Sequence, residues 1–233
     1  MVCNRMKPLP EIERYKAAAD EVCGLAAPLD EVRFVALDTE STGLDPIRDV
    51  LISMGAVGVQ GRVIDIGDSF ETVLPVGHNT ATVVIHGITR EASLAGMPEP
   101  EALCALLDML RGDVIVGHHI GHDLAMLNGA LEKHFGVKLH NRCVDTGTMA
   151  FWLDTRHQQK TGHTLFQSFT LDGLCEHFGL TAHDRHTATG DAFLTAQVFL
   201  KLIVQLRTVG ITTLGDLLEL ENAVERYSAG GAM

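Results

Sequence analysis

The sequence lacks a hydrophobic run long enough to cross a membrane. Its longest apolar stretch, residues 192–206, is interrupted by Gln197 and Lys201, whereas a membrane-spanning helix needs about 20 apolar residues. Residues 1–16, MVCNRMKPLPEIERYK, also lack the apolar segment of a secretory signal peptide. We therefore expect a protein that is neither exported nor held in a membrane.

Cysteines are few and far apart. The chain has five, at Cys3, Cys23, Cys104, Cys143 and Cys175. An odd number without close pairs argues against a disulfide framework and against a zinc ribbon. These features favour the reducing environment of the cytoplasm.

Basic residues are outnumbered, with 18 Lys and Arg against 30 Asp and Glu and a formal net charge of −12. Proteins that hold nucleic acid mainly by neutralising phosphates are usually basic over the contact face. The balance therefore argues against tight, sequence-independent binding of duplexes. It leaves open an enzyme that engages a strand end through metal ions.

The order of strand-like and helix-like segments predicts an α/β fold. Residues 33–40, 50–59 and 62–74 are rich in strand-forming residues, and Gln60-Gly61 is a tight-turn signal, which together predict a three-stranded antiparallel meander. Helices then alternate with short strands at 113–118 and 142–146; the predicted helices are 99–112, 123–136, 170–180 and 187–210. We expect a mixed five-stranded sheet flanked by helices.

The chain reads as one domain with terminal additions. Residues 1–30 are predicted to be a helical extension with an amphipathic helix over 10–26, and residues 31–210 the core domain. Residues 211–233 are predicted to form a helix and tail packed on or next to it. The polar stretch 154–169, DTRHQQKTGHTLFQSF, is predicted to be a mobile loop beside the functional site.

Two acids stand at the end of the first predicted strand, in FVALDTESTGLDP (34–46). Side chains of a strand alternate between its faces, so Asp38 and Glu40 lie on the same face and repel each other. The simple structural explanation is a strand that emerges into solvent before the turn marked by Gly43 and Pro46.

Two more acids and a histidine follow. Asp123 opens a helix after the strand in VIVGHHIGHDLAML (114–127), a position that the helix dipole alone explains. Asp191 lies near the start of a long apolar helix, and His186 precedes it by five residues. If all of these side chains converge at one edge of the sheet, divalent metal ions would offset their repulsion.

Three segments in this order, FVALDTESTGLDP, VIVGHHIGHDLAMLN and HTATGDAFLTA, resemble the exonuclease motifs of the DEDDh family, which includes the epsilon proofreading subunit of bacterial DNA polymerase III. The resemblance extends over residues 33–205 and includes HGIT (86–89), CVDTGTMA (143–150) and LDGLCEHFGL (171–180). It implies an RNase H-like fold for the core domain and identifies that domain as an exonuclease domain.

The resemblance also implies a catalytic site. In it two divalent ions, Mg²⁺ or Mn²⁺, are held by Asp38, Glu40, Asp123 and Asp191, and His186 is the general base. Such ions prefer hard oxygen ligands, and a pair about 4 Å apart holds the attacking and leaving oxygens of a phosphoryl displacement. Paired ions would also neutralise the site in spite of the acidic composition.

Residues of a substrate pocket are implied in the same way. The turn after Glu40 resembles the pocket for the 3′-terminal nucleotide, and the implied substrate-binding residues are Thr42, Gly43, Leu44, His86 and His119. His119 replaces the asparagine that the family usually has, and His122 replaces an aromatic residue; both changes affect substrate preference more than the scaffold. A separate transition-metal cluster is an alternative for His118, His119 and His122.

Basic residues near the motifs are candidate strand contacts, although each one alone is explained as a solvated surface residue; they are Arg48, Arg142, Arg156, Lys160 and Arg185. The resemblance implies a metal-dependent 3′–5′ exonuclease acting on single-stranded or frayed 3′ ends of DNA, in proofreading or repair, with a polymerase subunit as a partner. The alternatives are an RNA-trimming enzyme of the same family and a non-catalytic nucleic-acid-binding or scaffold module.

Overall fold

The computed structural model describes residues 9–18, 23–75, 95–220 and 222. One mixed sheet runs through it; its strands are β1 (Arg33–Ser41), β2 (Leu51–Gln60), β3 (Val63–Val73), β4 (Val114–Gly117) and β5 (Cys143–Asp145). The spatial order is β3-β2-β1-β4-β5. The first three strands pair antiparallel, and β4 and β5 continue the sheet parallel to β1. The predicted meander and mixed sheet are confirmed.

Helices cover both faces of the sheet. They are α1 (Pro10–Ala18), α2 (Glu99–Leu110), α3 (Gly121–Phe135), α4 (Thr146–Thr161), α5 (Leu171–Phe178) and α6 (Ala188–Thr208), and residues 214–220 are also helical. The sequence supplies their ends. Gly136 closes α3 in a left-handed conformation at φ 64°, and Thr170 caps the start of α5 by accepting a hydrogen bond from the Gly173 amide.

Two apolar cores lie on opposite sides of the sheet, and β1 contributes to both. Phe34 and Ala36 pack into the core formed with α4, α5 and α6, whereas Val35 and Leu37 pack into the core formed with α1, α2 and α3. All four side chains are at most 2% exposed. Buried on both faces, β1 is the rigid centre of the fold.

The first helix is joined to the second of these cores. Ile12 and Tyr15 are each 2% exposed, and the Tyr15 hydroxyl donates to the Asn141 side chain and accepts from the His140 amide at 3.0 Å. The helix is shorter than the predicted 10–26, because residues 23–26 are not helical and residues 19–22 lie outside the described part of the chain.

The predicted loop over 154–169 is wrong for residues 154–161, which are helical, whereas residues 162–169 do lie outside helices and strands. Helix α4 occupies residues up to Thr161 and ends at Gly162, which is left-handed at φ 77°. The buried Asp154 side chain then accepts hydrogen bonds from the amides of Leu165 and Phe166 at 2.5 and 3.0 Å. The polar residues form the solvent face of this helix, which is why the segment looked like a loop.

Among the described residues, no helix is long and apolar enough to pass through a membrane. The cysteines in this part of the chain, Cys23, Cys104, Cys143 and Cys175, are all free thiols.

Candidate metal centre

The end of β1 presents Asp38 and Glu40 to the side of the sheet that α6 covers. Their side chains follow the same alternation as Phe34 and Ala36, which pack against that helix. A bulge between Glu40 and Ser41 then ends the regular pairing with β2. Asp38 and Glu40 therefore lie on the same face of β1, as their spacing in the sequence predicted.

A glycine in β2 lets α6 approach this end of the strand. Gly55 pairs with Asp38, and a Cβ atom at Gly55 would lie 2.4 Å from the carbonyl carbon of Ala188 and 2.4 Å from the amide nitrogen of Thr189. The first turn of α6 thus rests directly on the sheet backbone. This contact sets Asp191, in that same turn, over the acids of β1.

Three carboxylates come together here. One ligand oxygen each from Asp38, Glu40 and Asp191 can be chosen so that all three lie within 4.8 Å of one another. Within residues 9–18, 23–75, 95–220 and 222, this is the one group of three or more acidic, histidine or cysteine side chains that meets this distance. We call it the carboxylate cluster, and its spacing suits a cation with oxygen ligands.

Asp123 approaches from the other side of the sheet. It lies in the first turn of α3 and is 7% exposed. Its Oδ1 accepts hydrogen bonds from the amide and hydroxyl of Thr39 at 2.8 and 2.7 Å. Thr39 separates Asp38 from Glu40 in the strand, so Asp123 lies at the same strand end as the other predicted acids. It is not one of the three members of the carboxylate cluster.

The electrostatics of these acids show that they crowd one another. Burial raises the pKa of Asp38 well above its usual value, and the charges of Asp123, Asp191 and Glu40 raise it further. Burial and the same neighbouring aspartates raise the pKa of Glu40 to about 7. Burial also raises the pKa of Asp123, against the hydrogen bonds from Thr39. A divalent cation among these oxygens would relieve the repulsion.

Arg185, one of the basic candidates from the sequence, also belongs to this site, but as the ion-pair partner of two acids. Arg185 donates from Nε and Nη2 to the two carboxylate oxygens of Asp172 at 2.6 and 3.1 Å, and its Nη1 contacts Asp191 Oδ1. Its side chain is 19% exposed, so the reading as a solvated surface residue is wrong for Arg185. No spacing in the sequence indicates this bridge, because Asp172 belongs to a different helix.

The other basic candidates do not contact the cluster. The Arg142 guanidinium donates to the Cys23 carbonyl at 2.7 Å, and that of Arg156 lies 5.3 Å from the centre of the Trp152 ring. The Arg48 side chain is 85% exposed, and Lys160 is exposed.

His186 lies in the turn that leads into α6. Its backbone is left-handed at φ 64°, as is that of Asp184 at φ 53°, a conformation that residues other than glycine seldom adopt. Thr187 fixes the turn, since its hydroxyl donates to the Asp184 carbonyl at 2.7 Å and accepts from the Gly190 amide at 3.1 Å. The histidine is thereby held immediately before the helix that carries Asp191.

The turn predicted to hold the terminal nucleotide is organised by Asp49. Thr42 Oγ1 donates to Asp49 Oδ1 at 2.9 Å, and the Asp45 amide donates to Oδ2 at 2.9 Å. A Cβ at Gly43 would lie 2.5 Å from this carboxylate, which explains the glycine. Leu44 is 82% exposed. His86, the remaining pocket residue that the resemblance implied, lies outside the described residues.

The three histidines of the turn after β4 have separate partners. His118 Nδ1 lies 2.8 Å from Thr146 Oγ1, and His122 Nε2 lies 3.1 Å from Ser41 Oγ. His119 has a left-handed backbone at φ 56° and packs over Gly147. Burial lowers the pKa of His118 to about 4. Within the described residues these side chains form no three-residue metal group.

Asp145 positions this histidine turn, a role that was not predicted from the sequence. Its Oδ2 accepts from the Ile120 amide at 2.9 Å, and its Oδ1 caps α4 by accepting from the Thr148 amide at 2.9 Å. One buried carboxylate thereby ties the segment that leads to Asp123 to the start of α4. The signal available in the sequence was the aspartate directly after a short strand, which is typical of a helix N-cap.

A five-stranded RNase H-like sheet that gathers carboxylates at the end of its first strand defines a class of nucleases. The chain belongs to the exonuclease family RNase_T, whose sequence profile matches residues 35–199. Enzymes of this family use divalent metal ions, and the carboxylate cluster provides suitable ligands.

Curated relatives are replication proteins. The chain is 30% identical to the PolC-type DNA polymerase III of Thermotoga maritima over 96% of its own length, but spans 16% of that protein. It is 34% identical to an epsilon-like protein of Rhodobacter capsulatus, covering 82% of this chain and 26% of that protein. With the DNA polymerase III subunit epsilon of Aquifex aeolicus it shares 30% identity, over 74% of this chain and 81% of that protein.

Solved structures agree on the fold. Escherichia coli exonuclease I in complex with a dT13 oligonucleotide superposes with a TM-score of 0.62 at 16% identity, covering 77% of this chain and 42% of that chain. Cell-death related nuclease 4 gives a TM-score of 0.62 at 15% identity, over 78% of this chain and 66% of that chain.

Proposed function

We propose that the chain is a 3′–5′ exonuclease that hydrolyses DNA from its 3′ end and releases nucleoside 5′-monophosphates. The observation that carries this proposal is the carboxylate cluster, whose three ligand oxygens lie within 4.8 Å of one another at the end of β1. Carboxylates that are crowded together away from water repel one another and are costly to a fold. A site of this kind makes physical sense as a holder of cations.

The donor set fits two Mg²⁺ or Mn²⁺ ions. Asp38, Glu40 and Asp191 would hold them together with Asp123, whose position on Thr39 brings a fourth carboxylate to the same strand end. When bound, such a pair stabilises the charge on the attacking and leaving oxygens of a phosphodiester during hydrolysis. Four acids match two divalent charges, so the scissile phosphate would meet a neutral site despite the net charge of −12.

His186 is the proposed general base. Its turn is fixed by Thr187 directly before α6, so the backbone of His186 is held at the start of the helix that carries Asp191. Imidazole changes protonation near neutral pH, which suits the removal of a proton from the attacking water.

The proposed substrate is a single-stranded or frayed 3′ end. The turn of Thr42, Gly43 and Leu44 supports this, because Leu44 offers an 82% exposed apolar side chain next to the acids. His119, in the turn after β4, and His86 are the other proposed substrate-binding residues. The fold is shared with an exonuclease that was solved in complex with a dT13 oligonucleotide.

We assign the exonuclease domain to residues 31–210, with a helical extension over 1–30 and a helix and tail over 211–233, and we place the protein in the cytoplasm. Relatives named as DNA polymerase III subunits support a polymerase as the partner and proofreading or repair as the role.

A direct test follows the products formed from matched 3′-labelled DNA and RNA oligomers and from a 3′-mismatched primer-template, with Mg²⁺ or Mn²⁺. We expect 5′-monophosphates from DNA, released from the mismatched end first. Asp191→Asn should abolish turnover, and His186→Gln should slow it by about 10²-fold. Asp65→Asn, at an exposed position of β3, serves as the matched control and should leave turnover intact.

Each other result has a defined meaning. Equal rates on DNA and RNA would replace the DNA assignment with an RNA-trimming enzyme. Unchanged turnover in Asp191→Asn would contradict the catalytic assignment and favour a binding or scaffold module.

A further inference from the structure

Arg185 holds two carboxylates of different helices at once. Nε and Nη2 form a fork on Asp172 of α5, and Nη1 remains for Asp191 of α6. The arginine side chain is 19% exposed and that of Asp191 is 11% exposed, whereas that of Asp172 is 64% exposed. The guanidinium is thus anchored at the rim by Asp172 and carries its charge inward to the carboxylate cluster.

This contact places a permanent positive charge on a group of acids. A guanidinium stays protonated at every pH at which proteins are folded. Burial raises the pKa values of Asp38 and Glu40, neighbouring acids raise them further, and Arg185 acts in the opposite direction on both.

We propose that Arg185 is a built-in counterion of the carboxylate cluster, which stabilises these acids in the fold and competes with divalent ions for Asp191. The inference rests on the proposed function, in that the cluster is taken to bind such ions. Because the Asp172 fork holds two of the three contacting nitrogens, Arg185 remains beside the cluster when Asp191 turns to an ion. The arginine therefore sets how tightly metal is bound.

This role predicts opposite effects on two quantities. Removal of the positive charge leaves the acids less compensated, which lowers stability in the absence of metal. The same removal takes a repelling charge away from an incoming cation, which tightens metal binding. A residue that only positions Asp191 would lower stability and weaken metal binding together, so the two roles are distinguishable.

The test uses the full chain with Arg185→Gln and Arg185→Lys. Mn²⁺ affinity is measured by electron paramagnetic resonance of the free ion, and thermal unfolding is measured in EDTA. For Arg185→Gln we expect a melting temperature lower by roughly 2–5 °C and Mn²⁺ binding about three- to tenfold tighter. Arg185→Lys keeps the charge but loses the fork on Asp172, so its Mn²⁺ affinity should lie closer to the wild type than to Arg185→Gln. Unchanged or weaker binding in Arg185→Gln would overturn the proposal.

Arg33 provides the matched control. It also bridges two acids, Asp68 and Asp113, and its side chain is 25% exposed, but it lies at the opposite end of β1. Arg33→Gln should lower the melting temperature without changing Mn²⁺ affinity. If it tightens Mn²⁺ binding as much as Arg185→Gln does, the effect belongs to net charge and the proposal fails.

A double-mutant cycle in EDTA separates this inference from the proposed function. Arg185→Gln should cost less stability in an Asp191→Asn background than in the wild type, because the pair is already broken. Additive effects would overturn the counterion role even if the wild type binds Mn²⁺ well. A wild type that binds no Mn²⁺ would refute both the metal site and the competition, whatever the cycle gives.

The exposed acid Asp172 offers a variant that leaves the interior intact. Asp172→Asn removes one of the two carboxylate charges that pair with Arg185, so the ion pair of Arg185 with Asp191 becomes stronger. Mn²⁺ binding should weaken by about twofold or more, and unchanged binding would contradict the anchoring role of Asp172.

Discussion

The two ends of β1 both carry buried charge, but they balance it differently. At the start of the strand, Arg33 pairs with Asp68 at 2.5 Å and also contacts Asp113. Burial raises the pKa of Asp113, but the next largest influence is Arg33, which lowers it. At the end of the strand, burial raises the pKa of Asp38, and the next three influences are acids that raise it further.

A glycine of β2 makes room at each end. A Cβ at Gly58 would lie 2.3 Å from the Asp68 carboxylate, and a Cβ at Gly55 would lie 2.4 Å from the backbone of α6. At the start of the strand the space admits an acid that completes an ion pair. At the other end the space admits helix α6, which brings Asp191 next to Asp38 and Glu40. At the start of β1 one arginine is paired with two acids, whereas at its end Arg185 pairs with only one of several crowded acids.

The largest expected effect comes from removing a charge of the cluster. Asp38→Asn should lower exonuclease activity on the order of 10³-fold, because an essential ligand is lost, while the melting temperature in EDTA rises. Steady-state kinetics and thermal unfolding measure the two effects. A variant that loses activity but also loses stability would break the contrast between the two ends of β1.

The next largest effect is expected for Gly55→Ala, because this substitution displaces a helix and removes no charge. The added methyl group meets the backbone of Ala188 and Thr189, which should cost about 1–3 kcal/mol of stability and lower the activity by displacing Asp191. Gly58→Ala is the matched control, since its contact is with a side chain that can move. Equal losses of activity in the two variants would argue against the role of Gly55.

Arg33→Gln should affect stability alone. It leaves Asp113 and Asp68 without their cation, at a cost of about 2 kcal/mol in the free energy of unfolding, while kcat and KM stay at wild-type values. Denaturant unfolding and the exonuclease assay test this. A loss of activity at constant stability would mean that the start of β1 also serves the reaction.

The smallest expected effect is a pH dependence of stability in EDTA. The folded protein raises the pKa of Glu40 from 4.5 to about 7, so its contribution to stability is fully present below pH 4.5 and is lost as the pH rises through 7. Asp38 and Asp123 shift in the same direction. Burial lowers the pKa of His118 to about 4, so that group acts in the opposite direction below about pH 6.5. The melting temperature of the wild type, taken relative to that of Glu40→Gln, should therefore fall between pH 5 and pH 8, and less so with Mg²⁺.

Carboxyl groups with lowered pKa values do not change the stability between pH 5 and pH 8. Those of Asp30, Glu99, Asp172 and Asp216 contribute stability that is already complete above their ordinary values near 4. In EDTA, a wild-type melting temperature that stays constant or rises from pH 5 to pH 8 relative to that of Glu40→Gln would contradict the crowding of the acids.

The sequence was informative where chemistry follows from local geometry. Strand alternation predicted that Asp38 and Glu40 share a face, and the order of elements predicted the mixed sheet. Gly136 and Thr170 marked helix ends correctly because their conformations and caps are local properties. Helix α4 escaped prediction since its polar residues face solvent and its buried residues, such as Met149 and Leu153, are few.

Long-range contacts could not be read in this way. The bridge from Asp172 through Arg185 to Asp191 depends on how α5 and α6 pack. The hydrogen bonds from Thr39 to Asp123 depend on the docking of α3 against β1. Both depend on how separate elements pack together, and no single-sequence pattern records which of many acids meets which partner.

The central claim is that the end of β1 binds divalent cations. Anomalous diffraction from a crystal of the wild-type protein soaked in Mn²⁺ tests it most directly. We expect anomalous density within coordination distance of Asp38, Glu40 and Asp191, and its loss in Asp38→Asn. Mn²⁺ density elsewhere on the protein, with none at these three carboxylates, would contradict the account.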